Sequence, residues 1–572
     1  MSLESKSQEL KDLVSNNDTQ WFLGDLSGLM KNIAEGRAKD QLGKLSSPLR
    51  QLYFLGGLLV SSDSANGIDI MYNPAKWNKI VELLNEIEAK YDKLFFPTTP
   101  EEVDEQWKHV RKVAMPSFLS YFNQGPLNYE EQTINWTRDL FSQLDSIIEP
   151  AVGIRTEDFI QFYENLDQLN QKNFQSHSTK HEALRPDWKK YTKIVMGFGE
   201  GDNVPDFIIE MGEKNRPLYT FMADHGIIDR FYPEEIVSAN LPVEKVQAIL
   251  QLLTTTRNQT EYLYYTATKP GNPLYEKPIV DIGDGMYQVF EVKQVIHAIE
   301  NLLEKLCTST VEATTKYVEK KGELLEDRVV KLFTDFLGAD CKVFLGYYVD
   351  GCEQDILILW KKSAFIIEAK GYSLAEPFRD PNRAFIRIKS DFDACIGYGY
   401  RQTRRVEEKF IDQVPLRLTD KNGNLIEEID TSVFNNDFSI IVNLKSFSQI
   451  QTDLSTLLKL PNDDDVFPWA IKLDDLEVFL LTLKAQKKKP ESLVDYLLMR
   501  ENLHSKLICS DELEICGGFL INKLNEKIVE RADMIVTTPD LAAIFDKQYN
   551  KEMGFKNEKY LMEKRSGKYI FW

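Results

Sequence analysis

Two carboxylates and a lysine, Asp355, Glu368 and Lys370, have residue types and a spacing that suit metal-assisted hydrolysis of a phosphodiester. Hard divalent cations such as Mg²⁺ prefer carboxylate oxygens. A bound cation lowers the pKa of its water and neutralises the charge that builds on phosphorus. A neighbouring ammonium group can orient the nucleophile or stabilise the transition state. We therefore expect Asp355 and Glu368 to be metal ligands, with the carbonyl of Ala369 as a third, and Lys370 to be the adjacent cation.

A β-hairpin is the element that must position these side chains. Strand-forming residues lie on both sides of a short polar break at Lys361 and Lys362, which predicts two antiparallel strands. If these two lysines form a two-residue loop, Asp355 and Glu368 face each other at about 5 Å between Cβ atoms. Lys370 shares the face of Glu368 because side chains alternate along a strand. Three charges on one face of an apolar hairpin require a metal ion or a salt-bridge network.

A further acid is expected on the helix that precedes the hairpin. Residues 321–333 have apolar side chains at helical spacing, with Leu325 and Val329 on the buried face. Glu323 and Glu326 are both candidates for the acidic cluster. We prefer Glu326 because it lies beside the buried face.

The charge distribution contains one local basic strip. The net charge of the chain is −20, which argues against a surface devoted to nucleic acid, because lysine and arginine supply most non-specific affinity. Directly after the hairpin, however, the candidate phosphate contacts are Arg379, Arg383, Arg387, Arg401, Arg404 and Arg405. The first three follow at four-residue steps and so share a helical face, a pattern that is also typical of solvated surface. Tyr398 and Tyr400 could stack on bases or pack within the helix.

Three segments are predicted from the change of pattern along the chain. Residues 1–310 are mainly helical, with a hairpin that turns at Asp284-Gly285, and are expected to recognise substrate, a partner or a signal. Residues 311–475 predict an α/β core, a central mixed sheet flanked by helices. Residues 476–572 are again helical and are expected to pack on that core. The elements predicted in the core are a helix over 311–337, strands over 342–349, 438–444 and 466–473, and a basic helical stretch over 381–410.

The cysteines and the N-terminal sequence indicate a reducing, cytoplasmic location. The six cysteines contain no C-x-x-C pair and no small disulfide framework. The N-terminus carries charges where a signal peptide would be apolar, and the longest apolar run near it, 52–60, is too short to span a bilayer. We expect no membrane segment.

The motifs resemble one known family. They are Gly322-Glu-x-x-Glu326, Glu353-Gln-Asp355, Ile367-Glu-Ala-Lys370 and a following helix that contains Gln402. This set resembles the PD-(D/E)xK nuclease superfamily, with its restriction-endonuclease-like fold, and within it Mrr-type and related defence nucleases. The resemblance covers residues 315–475 and implies that Asp355 and Glu368 bind Mg²⁺, for which Mn²⁺ can substitute. It also implies that Glu326 completes the acidic cluster. Lys370 would assist the hydrolytic water, and Gln402 matches a glutamine that many members place on this helix.

The function implied by this resemblance is Mg²⁺-dependent hydrolysis of DNA, in bacterial anti-phage defence or restriction. Cutting both strands of a duplex generally requires two active sites, so a homodimer is expected, or alternatively a partner defence protein. Two other functions stay open: a catalytically inactive nucleic-acid-binding or scaffold protein with the same fold, and a nuclease that cleaves RNA.

Overall fold

The chain forms two compact units. The computed structural model describes residues 2–552 except 34–37, 70–72, 94, 98, 120–127, 196, 198–204, 266–269, 372–379 and 463–464. The first unit consists of Met1–Tyr91 and Thr133–Thr314, and the second consists of Asp92–Gln132 and Thr315–Tyr560. Residues 92–132 therefore belong with the C-terminal half, although their sequence pattern had grouped them with the N-terminal helices.

The N-terminal half is mainly helical and also contains short strands. Its helices are α1 (Leu3–Ser15), α2 (Thr19–Ile33), α3 (Lys39–Leu42), α4 (Pro48–Val60), α5 (Pro74–Asp92), α6 (Glu105–Leu119), α7 (Glu130–Phe141), α8 (Asp145–Val152), α9 (Thr156–Val195), α10 (Asp206–Ala223), α11 (Val243–Leu253), α12 (Pro273–Glu276) and α13 (Val292–Cys307). Its strands are β1 (Arg230–Phe231), β2 (Thr254–Thr256), β3 (Ile279–Gly283) and β4 (Met286–Val289). They form one sheet in the order β1-β4-β3-β2. The predicted hairpin is confirmed, because β3 and β4 are antiparallel and both Asp284 and Gly285 in their turn have positive φ.

The C-terminal half contains a mixed α/β core. Its helices are α14 (Val311–Leu337), α15 (Pro381–Phe392), α16 (Tyr398–Ile411), α17 (Gln449–Thr452), α18 (Leu473–Ala485), α19 (Glu491–Glu501), α20 (Glu512–Leu520), α21 (Glu526–Arg531) and α22 (Ala543–Glu552). Its strands are β5 (Lys342–Val349), β6 (Cys352–Trp360), β7 (Ser363–Lys370), β8 (Leu416–Thr419), β9 (Leu425–Ile429), β10 (Asn436–Asn443), β11 (Trp469–Lys472), β12 (Leu507–Ile508) and β13 (Ile535–Val536). The predicted helix over 311–337 and strand over 342–349 are confirmed.

Seven of these strands form one mixed sheet in the order β11-β10-β7-β6-β5-β8-β9. Strands β5, β6 and β7 are antiparallel, whereas β10 runs parallel to β7 and β11 runs parallel to β10. The predicted strands over 438–444 and 466–473 correspond to β10 and β11. The hairpin β8–β9, which the sequence had not indicated, extends the sheet beyond β5.

Helices cover the two faces of the sheet. On one face, Val406 and Phe410 of α16 are buried against Leu357 and Ile366 of the β6–β7 hairpin. Complete burial of a side chain of this size contributes roughly 1.5–3 kcal/mol. This apolar packing holds α16 along the sheet. On the other face, Phe333 of α14 packs against Phe365, with 5.7 Å between the ring centroids.

A buried ion pair joins the helical C-terminal region to the sheet. Arg500 on α19 is 1% exposed and donates two hydrogen bonds, at 2.9 and 3.0 Å, to the carboxylate of Glu512 on α20. The same carboxylate accepts hydrogen bonds from the indole of Trp469 on β11 and the hydroxyl of Tyr496 on α19. A fully hydrogen-bonded buried pair of this kind fixes how these elements dock.

All six cysteines are free thiols. Within the described residues no helix has the length and apolar character that crossing a bilayer requires.

Candidate active site

The β6–β7 hairpin has the predicted two-residue loop. Trp360 pairs with Ser363 and the ladder continues to the pair Ile356 and Ile367, so the predicted register is confirmed over this range. Lys361 occupies the first loop position with a φ of 52°, the left-handed conformation that two-residue hairpin loops require.

The ladder opens at Asp355, where the candidate site begins. Instead of continuing the backbone pairing, the Asp355 N–H donates to Oε1 of Glu368 at 3.2 Å, and the Ala369 N–H donates to Oδ2 of Asp355 at 2.8 Å. On the other side of β6, pairing with β5 skips Gly346, which has a φ of 54°. Asp355 and Glu368 are thus adjacent, as predicted, but each carboxylate binds backbone of the opposite strand.

Lys370 links the two carboxylates. Its Nζ lies 2.5 Å from Oε2 of Glu368 and 3.3 Å from Oδ2 of Asp355. Helix α16 passes close above, since a Cβ added to Gly399 would lie 3.4 Å from Cε of Lys370. The side chains of Asp355, Glu368 and Lys370 therefore lie together at the end of the apolar hairpin, and the first turn of α16 lies close to them.

Burial and mutual repulsion shift the protonation of these acids. Glu368 is 1% exposed; its burial and then the charge of Asp355 raise its pKa to about 8, although Lys370 opposes the shift. Burial alone would lower the pKa of Lys370, but the charges of Glu368 and Asp355 outweigh that effect and raise it. Without a bound cation, the cluster therefore favours protonation of Glu368, and the charge of Asp355 still favours a charged Lys370.

Glu326 approaches this cluster from α14, two helical turns before Phe333. Burial and then the charge of Asp355 raise the pKa of Glu326 to about 7, with smaller effects from Asp327 and Glu353. Perturbed acids that gather in one place are typical of functional sites. Glu323, the other candidate, is exposed and pairs with Lys320 at 2.6 Å. The preference for Glu326 as the third acid of the cluster stays a prediction.

The carboxylate oxygens of the site are ligands that a hard divalent cation prefers. Their present arrangement, however, leaves no open position for a cation between them. Across the residues that the structure describes, no group of three or more Asp, Glu, His or Cys side chains is arranged to hold a metal ion. Asp355 and Glu368 are in place, but Lys370 is hydrogen-bonded to both. A cation here would have to displace the Lys370 ammonium from at least one carboxylate, and would offset the repulsion that raises the pKa of Glu368.

Gln402 lies beside the cluster on α16. It is 9% exposed, and its Nε2 donates to the carbonyl of Glu353 at 3.4 Å. Its Oε1 is buried without a hydrogen-bond partner among the described residues. A buried acceptor without a partner is unusual and needs an explanation such as a water molecule or a ligand.

The structure separates the six candidate phosphate contacts. Arg383 and Arg387 are exposed on α15, which begins at Pro381 with Asp380 as its N-cap, and Arg379 lies outside the described residues. Arg401 is exposed and pairs with Asp393 at 2.8 Å.

Arg404 has a different place from the one predicted. It is 9% exposed and its guanidinium pairs with Glu407 at 3.1 Å, Glu408 at 3.3 Å and Asp465 at 2.7 Å. These contacts engage Nε, Nη1 and Nη2 of the guanidinium within the protein, and the role of Arg404 as a phosphate contact stays a prediction. Arg404 thus holds α16 to the loop that contains Asp465, whereas the adjacent Arg405 is half-buried and makes no ion pair or hydrogen bond with the described residues.

Two residues near the site were not selected from the sequence. Glu353 lies two positions before Asp355 on β6, and its charge contributes to the raised pKa of Glu326. Its alternation with Asp355 was the available signal. Lys321 on α14 lies near the end of β7, since a Cβ added to Gly371 would be 3.3 Å from Cε of Lys321. No local pattern brings Lys321 and Gly371 together.

No protein-family model matches the chain, and comparison with curated proteins and with solved structures gave no match. A functional assignment therefore has to come from the geometry of the site.

Proposed function

We propose that the C-terminal half is a Mg²⁺-dependent nuclease with a restriction-endonuclease-like core that hydrolyses phosphodiester bonds in DNA. The observation that carries the proposal is the convergence of Asp355, Glu368 and Lys370 where the β6–β7 ladder opens. Two acids and one lysine at the open end of a hairpin combine ligands for a hard cation with a positive group for the phosphate.

The order of elements supports the fold assignment. Helix α14 precedes the antiparallel strands β5, β6 and β7, and α16 then leads to β10, which lies parallel to β7. This is the helix, strand, hairpin, helix, strand order that the sequence pattern predicts. Each motif falls on the expected element, with Glu326 on α14, Asp355 on β6, Glu368 on β7 and Gln402 on α16.

Asp355 and Glu368, with Glu326, are the residues that would hold Mg²⁺ or Mn²⁺. The bound ion would supply a water of lowered pKa and neutralise charge on the phosphate. Lys370 lies beside both carboxylates, where its ammonium group can orient the attacking water or a phosphate oxygen. The unpartnered Oε1 of Gln402 can accept a hydrogen bond from a water held beside Glu353.

Nuclease assays on wild type and on Lys370→Ala test the proposal. The substrates are plasmid DNA, single-stranded DNA and RNA, each with Mg²⁺, with Mn²⁺ and with EDTA. We expect metal-dependent loss of DNA in wild type and a reduction of about 100-fold or more in Lys370→Ala, the usual size of such a contribution. Lys361→Ala is the matched control, because Lys361 is exposed at the opposite end of the same hairpin. Equal rates in wild type and Lys370→Ala, or cleavage that persists in EDTA, would contradict the proposal.

A catalytically inactive nucleic-acid-binding or scaffold protein is the second candidate. The ion pairs from Lys370 to both carboxylates favour it, because a site closed by its own lysine needs no metal. Mg²⁺ binding measured by calorimetry separates the two functions. The nuclease binds Mg²⁺ and loses that binding in Asp355→Asn, whereas an inactive protein binds none in either form.

The proposed setting is anti-phage defence, in which the protein acts as a homodimer or together with a partner defence protein. Comparing phage plating on cells that express wild type or Lys370→Ala tests the setting. Equal protection by both forms would show that cleavage is not what protects the cell.

A further inference from the structure

Tyr398 is an exposed aromatic ring at the edge of the candidate site. It is the first residue of α16 and is 52% exposed. Its sequence neighbours, Gly397 and Gly399, carry no side chains, and the guanidinium of Arg401 lies 5.8 Å from the ring centroid. Nζ of Lys370 lies 5.6 Å from the ring centroid. Tyr400, the other candidate for base stacking, is 3% exposed and is therefore a packing residue.

A π-helical turn gives the ring this position. Residues Asp393–Gly397 form a π-helix between α15 and α16, a rare element that often occurs at functional sites. Gly397 lacks the Cβ that would lie 2.4 Å from Oδ1 of Asp393, and so leaves room for the carboxylate that pairs with Arg401. Gly399 permits the close approach of α16 to Lys370.

Two arginines continue from the ring along the helix. Arg401 and Arg405 follow Tyr398 at three and seven residues, so the three side chains share one helical face. Within the described part of the chain Arg401 forms its ion pair with Asp393, and both side chains are more than half exposed. An exposed ion pair of this kind contributes little to the free energy of folding, so a phosphate can replace the carboxylate of Asp393 as the partner of Arg401. We call Tyr398, Arg401 and Arg405 the Tyr398 strip.

We propose that the Tyr398 strip binds single-stranded DNA beside the scissile phosphate, with an unpaired base stacked on Tyr398 and phosphates on Arg401 and Arg405. This inference rests on the proposed function and specifies its substrate. In a duplex the base faces are covered by neighbouring base pairs, so only an unpaired base offers its face to an aromatic ring. Because the ring centroid lies only 5.6 Å from Nζ of Lys370, a base next to a phosphate held by Lys370 can reach the ring.

Fluorescence anisotropy with a fluorescein-labelled oligothymidylate, in EDTA to prevent cleavage, tests the strip directly. Tyr398→Ala should weaken binding about ten-fold, within the range measured for loss of one stacked base, whereas Tyr398→Phe should bind like wild type. For a labelled duplex of equal length, Tyr398→Ala should reduce the binding affinity by less than about two-fold, since bases in a duplex cannot stack on the ring. Arg401→Ala and Arg405→Ala should each weaken the binding of both probes. Each should also reduce the slope of the logarithm of the binding constant against the logarithm of the salt concentration by about one unit. Ile411→Ala, an exposed residue at the other end of α16, is the control.

The outcomes separate the strip from the proposed nuclease activity. Unchanged oligothymidylate binding by Tyr398→Ala overturns the strip, as does a failure of wild type to bind the probe. Slower cleavage with unchanged affinity in that variant also overturns it, because Tyr398 would then only position Lys370. If binding depends on Tyr398 but wild type never cleaves DNA with Mg²⁺, the nuclease proposal fails and the strip stands as a binding surface. An oligouridylate of equal length shows whether RNA binds equally well, and stronger RNA binding overturns the assignment to DNA.

Discussion

The buried carboxylate of Glu368 should make the metal-free protein less stable as the pH rises, and Glu368→Gln should remove that dependence. The pKa of Glu368 is raised from 4.5 to about 8 in the folded chain. Stability linked to a raised carboxyl pKa is fully present below the unfolded pKa and is lost as the pH rises through the folded pKa. Between pH 6 and pH 8 the unfolded state has already released this proton, whereas the folded state still holds it.

The expected size follows from this interval. One proton over two pH units corresponds to about 3 kcal/mol in the free energy of unfolding. Below the unfolded pKa the glutamine amide resembles the protonated acid, so wild type and Glu368→Gln should have similar stability at about pH 4. Between pH 6 and pH 9 the stability of the variant relative to wild type should rise by about 3 kcal/mol, or roughly 5 °C in the unfolding temperature of a unit of this size.

Differential scanning calorimetry of both forms in EDTA, at pH 6 and pH 9, measures this change. The quantity compared is the difference in stability between the two forms at pH 9 minus the same difference at pH 6. Glu491→Gln is the control, because Glu491 is an exposed residue whose pKa is lowered by its hydrogen bond to Lys361, so it stays ionised throughout this range. Added Mg²⁺ should stabilise wild type by about 1.4 kcal/mol per ten-fold increase above its dissociation constant, and should not stabilise Glu368→Gln. An identical change with pH in wild type and Glu368→Gln would refute the assignment of a buried, proton-binding Glu368.

Three further substitutions test packing and helix stability elsewhere in the C-terminal half. Arg500→Met should lower the free energy of unfolding by roughly 3–5 kcal/mol, because Glu512 loses its cationic partner in a buried environment; urea denaturation measures this, and a loss below 1 kcal/mol would contradict it. Gly517→Ala should reduce the unfolding temperature or prevent soluble expression, since the new Cβ would lie 2.0 Å from the carbonyl oxygen of Leu541. Gly322→Ala should raise stability by about 0.5–1 kcal/mol, because Gly322 lies within α14 with open space around its Cβ position; a lower unfolding temperature would contradict this expectation.

Those parts of the site that depend on local pattern could be predicted from the sequence. The loop at Lys361 and Lys362 and the pairing that follows it are confirmed, because period-two apolar residues and a two-residue loop determine the register. The long helix α14 and strand β5 also match their predicted ranges, since each has one uniform periodicity. Such elements need no information about distant residues.

Features that depend on contacts between distant segments could not be predicted. The ion pair of Arg404 with Asp465 joins residues far apart in the chain, so a basic residue on a helix was interpreted as a phosphate contact. The opening of the ladder at Asp355 results from side chains that replace backbone hydrogen bonds, which strand periodicity does not show. The π-helical turn at 393–397 likewise has the composition of an ordinary helix.

Helix α6 has a consequence for how the C-terminal half can be studied alone. Although α6 lies before residue 120, it belongs to the second unit, where it packs against α15 and where His109 contacts Phe385 with 5.2 Å between ring centroids. A fragment that begins near residue 311 would keep Asp355, Glu368 and Lys370 but would leave this side of α15 uncovered. Poor solubility or inactivity of that fragment would then result from the loss of α6. Adding residues 92–132 as a separate peptide should restore the fold by complementation.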